Sequence, residues 1–112
     1  MTAHKDIKIQ FEIDGRRYEA VGFLNEGERS VAGNELLLRV NGVIGKEDVE
    51  FIAKHRRKMP MKSLRYYTLL TGYYVDQNHT ACFFWFDRGC RYDLDWVVTR
   101  KNRDCLMLRS CA

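Results

Sequence analysis

Three aspartates in the C-terminal half have the spacing that acid–base or metal chemistry would need. Asp93 and Asp95 are two residues apart, and Asp87 precedes them. Paired carboxylates can transfer protons or hold a metal ion. However, Asp93 and Asp95 alternate with Leu94 and Trp96, which is typical of a half-solvated strand whose polar side chains face water. We therefore expect surface carboxylates and not an active site.

The thiols and imidazoles of the chain do not have the spacing of a catalytic or zinc site. Four cysteines are present, none in a Cys-x-x-Cys pair, and the three histidines lie elsewhere. His55 falls on the apolar side of a predicted helix, as a hydrogen-bonded residue at a core edge would. Phosphate-loop and activated-serine motifs do not occur. We predict reduced thiols, no metal, no cofactor and no enzymatic activity.

Positive charge is concentrated in one stretch. Residues 1–45 contain six basic and seven acidic side chains, and residues 67–112 contain six and five, so these two stretches together are neutral. Residues 46–66 contain seven basic and three acidic side chains, and this middle stretch carries the whole net charge of +4. Such cations can bind phosphates or simply stabilise a helix C-terminus. The candidate nucleic-acid-binding residues, called the basic cluster below, are Lys54, Arg56, Arg57, Lys58, Lys62 and Arg65.

These side chains must be positioned by two hairpins with helices between them. The first hairpin spans residues 7–23, where apolar and polar residues alternate up to Asp14-Gly15. Asp-Gly is a strong signal for a type I′ turn, because both of its central residues need positive φ. A two-residue loop places Phe11 opposite Tyr18, so that apolar side chains share one face.

The second hairpin spans residues 81–98 and is predicted to close around Arg88-Gly89. Phe84 and Phe86 then point away from the core, with Arg91 across the strand. Apolar groups on the face opposite a core mark an interface, unless another element covers them. We predict that Phe84, Phe86 and Arg91 bind a partner. The face that we predict to be core comprises Ala81, Phe83, Trp85, Tyr92, Leu94 and Trp96.

Two helices are predicted between the hairpins, over residues 32–40 and 46–59, separated by Asn41 to Gly45. Their spacing is compatible with a DNA-reading helix-turn-helix. The second helix begins with Glu47, Asp48 and Glu50, however, which would repel phosphates at the position that reads bases. The pattern therefore favours a helical hairpin that packs on a sheet.

The complete pattern predicts one α+β domain over residues 1–112. Further strands are expected at 64–75 and 105–110, which gives the order ββααββββ. The expected architecture is a mainly antiparallel sheet with the helical hairpin on one face.

Residues 31–98 resemble a loose group of small bacterial proteins of unknown function. The matching stretches are Val31–Arg39, Gly45–Ile52 with His55 and Met59-Pro60, Phe84–Phe86, and the strand with Leu94 and Trp96. The second helix in that group is more acidic, and the basic cluster departs from it. The resemblance implies no activity and no site.

Three binding hypotheses follow. The first is a non-enzymatic protein that recognises a protein partner or forms a homodimer; the second is weak nucleic-acid binding by the basic cluster. The third is an accessory or inhibitor protein from a mobile genetic element. No apolar run approaches the roughly 20 residues of a membrane span, and Met1–Asp6 lacks the apolar segment of a signal peptide. We therefore expect a cytoplasmic protein with no membrane partner.

Overall fold

The computed structural model describes residues 3–111. The predicted domain of residues 1–112 also includes residues 1, 2 and 112, which lie outside this part. Two 3₁₀ turns, His4–Asp6 and Arg56–Lys58, accompany three α-helices and eight strands. The helices are α1 (Gly33–Arg39), α2 (Lys46–Lys54) and α3 (Met61–Leu64). The strands are β1 (Lys8–Ile13), β2 (Arg16–Val21), β3 (Ser30–Ala32), β4 (Thr68–Tyr74), β5 (His79–Phe86), β6 (Gly89–Trp96), β7 (Arg100–Asn102) and β8 (Cys105–Ser110).

Six strands form one sheet in the order β1-β2-β8-β4-β5-β6, and β3 pairs with β7 in a second sheet. All pairs are antiparallel except β4–β8. The predicted α+β class and mainly antiparallel sheet are confirmed, and the predicted order ββααββββ closely matches the observed one. The additional elements β3, α3 and β7 have three or four residues each, too few to show a periodic pattern.

The first hairpin has the predicted register. Phe11 lies opposite Tyr18, and Glu12 lies opposite Arg17. The loop residues Asp14 and Gly15 have φ of 47° and 87°, as a type I′ turn requires.

The two longer helices lie on opposite faces of the six-stranded sheet. Leu36 of α1 packs in a cluster with Leu70 of β4, whereas Ile52 of α2 packs in a cluster with Leu69. Adjacent strand residues point to opposite faces. The prediction that both helices pack on one face as a hairpin is therefore corrected, and a helix-turn-helix is excluded with it.

The segment between α1 and α2 explains how the chain changes face. Val43 forms a bridge with Arg109 of β8, and on the other side the N–H of Gly72 in β4 donates to the carbonyl of Ile44 at 3.0 Å. The segment thus passes through the sheet where β8 and β4 diverge. A Cβ atom at Gly72 would lie 2.5 Å from Cγ2 of Val43. The register of β4 shifts between Leu70 and Tyr74, and this irregularity at Gly72 accommodates the crossing.

His4 fastens the N-terminal 3₁₀ turn to the sheet. Its Nδ1 accepts hydrogen bonds from the N–H groups of Phe23 and Leu24, both at 3.1 Å. Since Nδ1 is an acceptor, Nε2 carries the proton and donates to the carbonyl of Cys105 at 2.9 Å. Burial lowers the pKa of His4 below its ordinary value, so the ring is held neutral.

Candidate functional site

The second hairpin ends the six-stranded sheet, and its loop differs from the prediction. Phe86 pairs with Gly89, so the loop residues are Asp87 and Arg88, with φ of 51° and 65°. The predicted loop, Arg88-Gly89, would pair Trp85 with Tyr92, whereas the structure pairs Trp85 with Cys90, so the predicted register is wrong by two residues. A shift of two residues leaves each side chain on its predicted face, because side chains alternate with a period of two.

The predicted partner-binding residues lie together on one face of this hairpin. Phe84 is directly opposite Arg91 in the register. Phe86 is 66% exposed, Arg91 is exposed and Phe84 is half-buried. Cys82, two residues before Phe84, is buried beneath α1 in the cluster that contains Leu36. The part of this face that α1 covers therefore ends between Cys82 and Phe84, and an aromatic and cationic patch lies beyond it.

The opposite face of the hairpin is core only on its inner strand. Ala81 and Phe83 on β5 are fully buried. On β6, Tyr92 is 37%, Leu94 41% and Trp96 53% exposed. The prediction of a continuous core face is therefore wrong for β6. The reason is sheet order: β6 is the outermost strand, and the helix α2 packs over β4 instead.

The outer edge of β6 is not paired with any strand in residues 3–111. The N–H of Val97 donates to the carbonyl of Asn78 across the ladder at 2.8 Å. Hydrogen-bonded and non-hydrogen-bonded pairs alternate in antiparallel strands. Arg91, Asp93 and Asp95 therefore direct their backbone groups toward β5, and the even-numbered residues between them direct theirs outward.

Two of these outward groups already have local partners. The side chain of Asp93 accepts a hydrogen bond from the N–H of Leu94 at 2.8 Å. The carbonyl of Trp96 accepts from the ammonium group of Lys101 at 2.6 Å. Cys90 and Tyr92 lie at the centre of the edge that remains open. We call the exposed face with Phe84, Phe86 and Arg91, together with the outer side of β6, the open hairpin edge.

Two of the three aspartates considered for catalysis, Asp93 and Asp95, form local contacts in and beside this hairpin. Asp95 forms an ion pair with the buried ammonium group of Lys101, which also donates to Thr99 Oγ1 at 2.6 Å. Asp93 accepts from Leu94 as described, and Asp87 lies in the exposed loop. Among residues 3–111, no three His, Cys, Asp or Glu side chains are grouped so that they could hold a metal ion.

The thiols near the hairpin are held in the protonated form. Burial raises the pKa of Cys82 to about 12 and that of Cys90 to about 11. A thiolate is the reactive form of cysteine, and these environments disfavour it. His55 is half-buried beside the ring of Phe51, with Nδ1 3.6 Å from Asp14, consistent with its predicted place at the core edge.

The basic cluster surrounds the end of α2, which stops at Lys54, earlier than predicted. Lys58 donates to Asp14 at 2.7 Å, and Arg65 lies over the exposed ring of Tyr66 at 4.8 Å. Within the described chain, the remaining members and Arg65 form no ion pair with a carboxylate. The Arg56–Lys58 turn also contacts β6, so the cluster borders the open hairpin edge. All six side chains are exposed.

The acidic start of α2 has a structural role that its apolar pattern does not reveal. Asp48 accepts hydrogen bonds from the hydroxyl group of Tyr18 at 2.7 Å and from Arg16 at 3.3 Å. Burial, followed by the hydrogen bond to Asp48, raises the pKa of Tyr18 to about 12. A carboxylate on the inner side of this helix is thus explained by one buried phenol and one arginine.

Sequence reasoning placed Phe84, Phe86 and Arg91 on the correct face, and their binding of a partner stays a prediction; it missed the exposure of Tyr92, Leu94 and Trp96. The only sequence signal for their exposure is the pair of aspartates that alternates with them.

No protein-family model, no curated protein and no solved structure matches this chain. The resemblance of residues 31–98 to small bacterial proteins therefore stays a prediction, as does the hypothesis of a mobile-element accessory protein. In the described residues, no helix is both long and apolar enough to cross a membrane.

Proposed function

We propose that this protein is a non-enzymatic binding module that attaches to a protein through the open hairpin edge. The observation that carries the proposal is the coincidence of exposed aromatic side chains with an unpaired strand edge. Tyr92, Leu94 and Trp96 follow one another on one face of β6 and are 37%, 41% and 53% exposed, and Phe86 is 66% exposed on the other face. Exposed apolar groups that lie together mark interaction sites, and an unpaired edge offers backbone hydrogen bonds to an incoming strand.

The side-chain chemistry of the edge supports a protein partner. Aromatic residues and arginine are the types that contribute most to binding energy at protein interfaces. Phe84 and Arg91 lie side by side across β5 and β6, so they would anchor a partner together. The engaged aspartates and protonated thiols described above support binding in preference to catalysis.

Site-specific photocrosslinking in the cells that naturally make this protein tests the proposal. A photoreactive phenylalanine analogue replaces Phe86, and the matched control replaces Leu38 on α1, which is 81% exposed. We expect covalent protein adducts at position 86 that are absent at position 38. The adducts should disappear when Phe84 is also changed to Ser, provided that the variant remains folded by circular dichroism.

Adducts that form equally at positions 86 and 38, or at neither, would refute this function. The mass of a specific adduct then separates two cases within it. An adduct of twice the chain mass identifies a second copy, and any other mass identifies a different protein.

Nucleic-acid binding by the basic cluster is a second candidate. It is favoured because, among residues 3–111, only Lys58 of the cluster forms an ion pair with a carboxylate. Cations that are not neutralised by carboxylates can displace counterions from phosphates. Single- and double-stranded oligonucleotides should be titrated at two salt concentrations. We expect affinity at low salt that falls as salt rises and is lost in Arg56→Glu/Arg57→Glu. No binding at low salt rules this candidate out.

A further inference from the structure

We infer that the partner of the open hairpin edge is a second copy of this chain, paired antiparallel through β6 about a two-fold axis at Tyr92. The inference rests on the proposed function and names its partner. It follows from the geometry of one strand. Only the even-numbered residues of β6 direct backbone groups outward, so the strands of two copies must meet through these residues.

Four positions of the axis near the middle of β6 satisfy this backbone requirement: Arg91, Tyr92, Asp93 and Leu94. The charged side chains of Arg91, Asp93 and Asp95, which share one face of β6, distinguish these positions of the axis. An axis at Arg91 places two arginines opposite each other. With the axis at Tyr92, Arg91 of each copy lies opposite Asp93 of the other, which makes two cross-strand pairs of opposite charge. An axis at Asp93 places two like carboxylates opposite each other, and it pairs Arg91 only with Asp95, whose carboxylate is already ion-paired with Lys101. An axis at Leu94 places Asp93 opposite Asp95 twice. Only the axis at Tyr92 is complementary.

The same axis also covers the exposed apolar face. Tyr92 meets Tyr92 of the second copy, and Leu94 meets Cys90. Each hydrogen-bonded pair of an antiparallel ladder exchanges two bonds, so the three central pairs supply about six backbone hydrogen bonds. Leu94 N–H transfers from the Asp93 side chain to the carbonyl of Cys90 in the second copy. That transfer releases the Asp93 carboxylate to Arg91 across the axis, so the Leu94 N–H and the Asp93 carboxylate both keep a partner.

The opposite edge of the sheet is less suited to pairing. On β1, Lys8, Gln10 and Glu12 are exposed, while Ile9 and Phe11 are half-buried against the core. Lysine on an edge strand discourages pairing with other strands. β6 carries no lysine or proline and is two residues longer than β1. Pairing of β6 with itself also closes the assembly as a dimer, because the two-fold axis uses the same edge twice.

Charge exchange tests this register. We expect the wild-type protein to be a dimer by light scattering at high protein concentration. Arg91→Asp places an aspartate opposite Asp93, and Asp93→Arg places an arginine opposite Arg91. Each should weaken the homodimer by about tenfold or more, because like charges face each other twice. An equal mixture of the two variants should form a heterodimer, measured by native mass spectrometry with one variant tagged.

The double variant Arg91→Asp/Asp93→Arg should regain the wild-type dimer, since the charges are exchanged and not lost. An axis at Asp93 predicts instead that the double variant fails to regain the dimer, because two arginines would meet on the axis. Arg29→Asp and Glu26→Arg, exposed residues in the loop after β2, are the matched controls and should leave the dimer unchanged. Circular dichroism shows whether each variant is folded.

A monomer at every concentration, a dimer indifferent to both single changes, or a mixture without heterodimer would each overturn the inference. These outcomes are distinct from failure of the proposed function. A monomeric protein that still forms specific adducts at position 86 with another protein retains the function and loses only the second copy as partner.

Discussion

Removal of the buried ammonium group beneath β6 should destabilise the fold strongly. Lys101 is buried, and it donates to Asp95, to the carbonyl of Trp96 at 2.6 Å and to Thr99 Oγ1 at 2.6 Å. Lys101→Met keeps the length of the side chain but leaves the Asp95 carboxylate without its cation, while the carbonyl of Trp96 still accepts from the hydroxyl group of Thr99 at 2.8 Å. Breaking one side of a buried ion pair costs roughly 3–5 kcal/mol.

The magnitude is reduced by the partial exposure of the other partner. The side chain of Asp95 is 29% exposed, so water can replace part of what Lys101 supplied. We therefore expect Lys101→Met to lower the free energy of unfolding by about 2–3 kcal/mol. With a urea m-value of about 1–3 kcal/mol per M, the midpoint of unfolding should fall by roughly 0.7–3 M.

Urea unfolding followed by circular dichroism measures this change, and a double-mutant cycle assigns it. Asp95→Asn should cost less, about 1–2 kcal/mol, because the amide oxygen still accepts from Lys101. The double variant should be more stable than the sum of the single changes implies, by at least about 1 kcal/mol. Lys54→Met, at an exposed lysine without an ion pair, is the control and should stay within about 0.5 kcal/mol. A change at Lys101 no larger than this control would refute the reasoning.

Three further predictions concern the crossing segment, the N-terminal turn and the hairpin loop. Gly72→Ala should lower the free energy of unfolding by about 1–3 kcal/mol through overpacking against Val43. The loss should be smaller when Val43 is also changed to Ala. Equal losses with Val43 and with Ala at that position would contradict the crossing. The free energy of unfolding should decline as pH falls below about 6.5, since the lowered pKa of His4 means that the unfolded chain binds the proton more tightly. The difference in stability between pH 7.5 and pH 5.5 should be smaller for His4→Gln than for the wild type. An equal difference in both proteins would exclude His4 as the source. Arg88→Gly should raise the free energy of unfolding by about 0.5–1 kcal/mol, because glycine adopts the positive φ at this loop position with less strain. A melting temperature below that of the wild type would contradict this.

Local pattern was enough to predict the first hairpin, because register, turn and charge all agree there. Asp14-Gly15 provides both positive φ angles with residues that favour them. In the second hairpin, Asp87 and Arg88 adopt positive φ although a glycine follows immediately. Face alternation cannot distinguish this loop from the predicted Arg88-Gly89, since moving the loop by one residue shifts the cross-strand register by two.

The position of each element in the sheet could not be predicted from local pattern. An apolar stripe shows that a helix is covered, but not which face of the sheet covers it. The crossing at Val43 depends on β8 and β4, which are far apart in the chain. The exposure of Tyr92 and Trp96 likewise depends on β6 being outermost. The aromatic patch at Phe84 and Phe86 was predictable because it requires only the parity of one strand.

Amide hydrogen exchange on the associated and dissociated protein tests the open hairpin edge most directly. In the dissociated chain, the N–H of Tyr92 should exchange rapidly, whereas those of Arg91 and Asp93 should be protected by β5. Association should slow exchange at Tyr92 by more than about tenfold and leave the neighbouring amides unchanged. An N–H of Tyr92 that is already protected in the dissociated chain, or one that stays unprotected after association, would contradict the account.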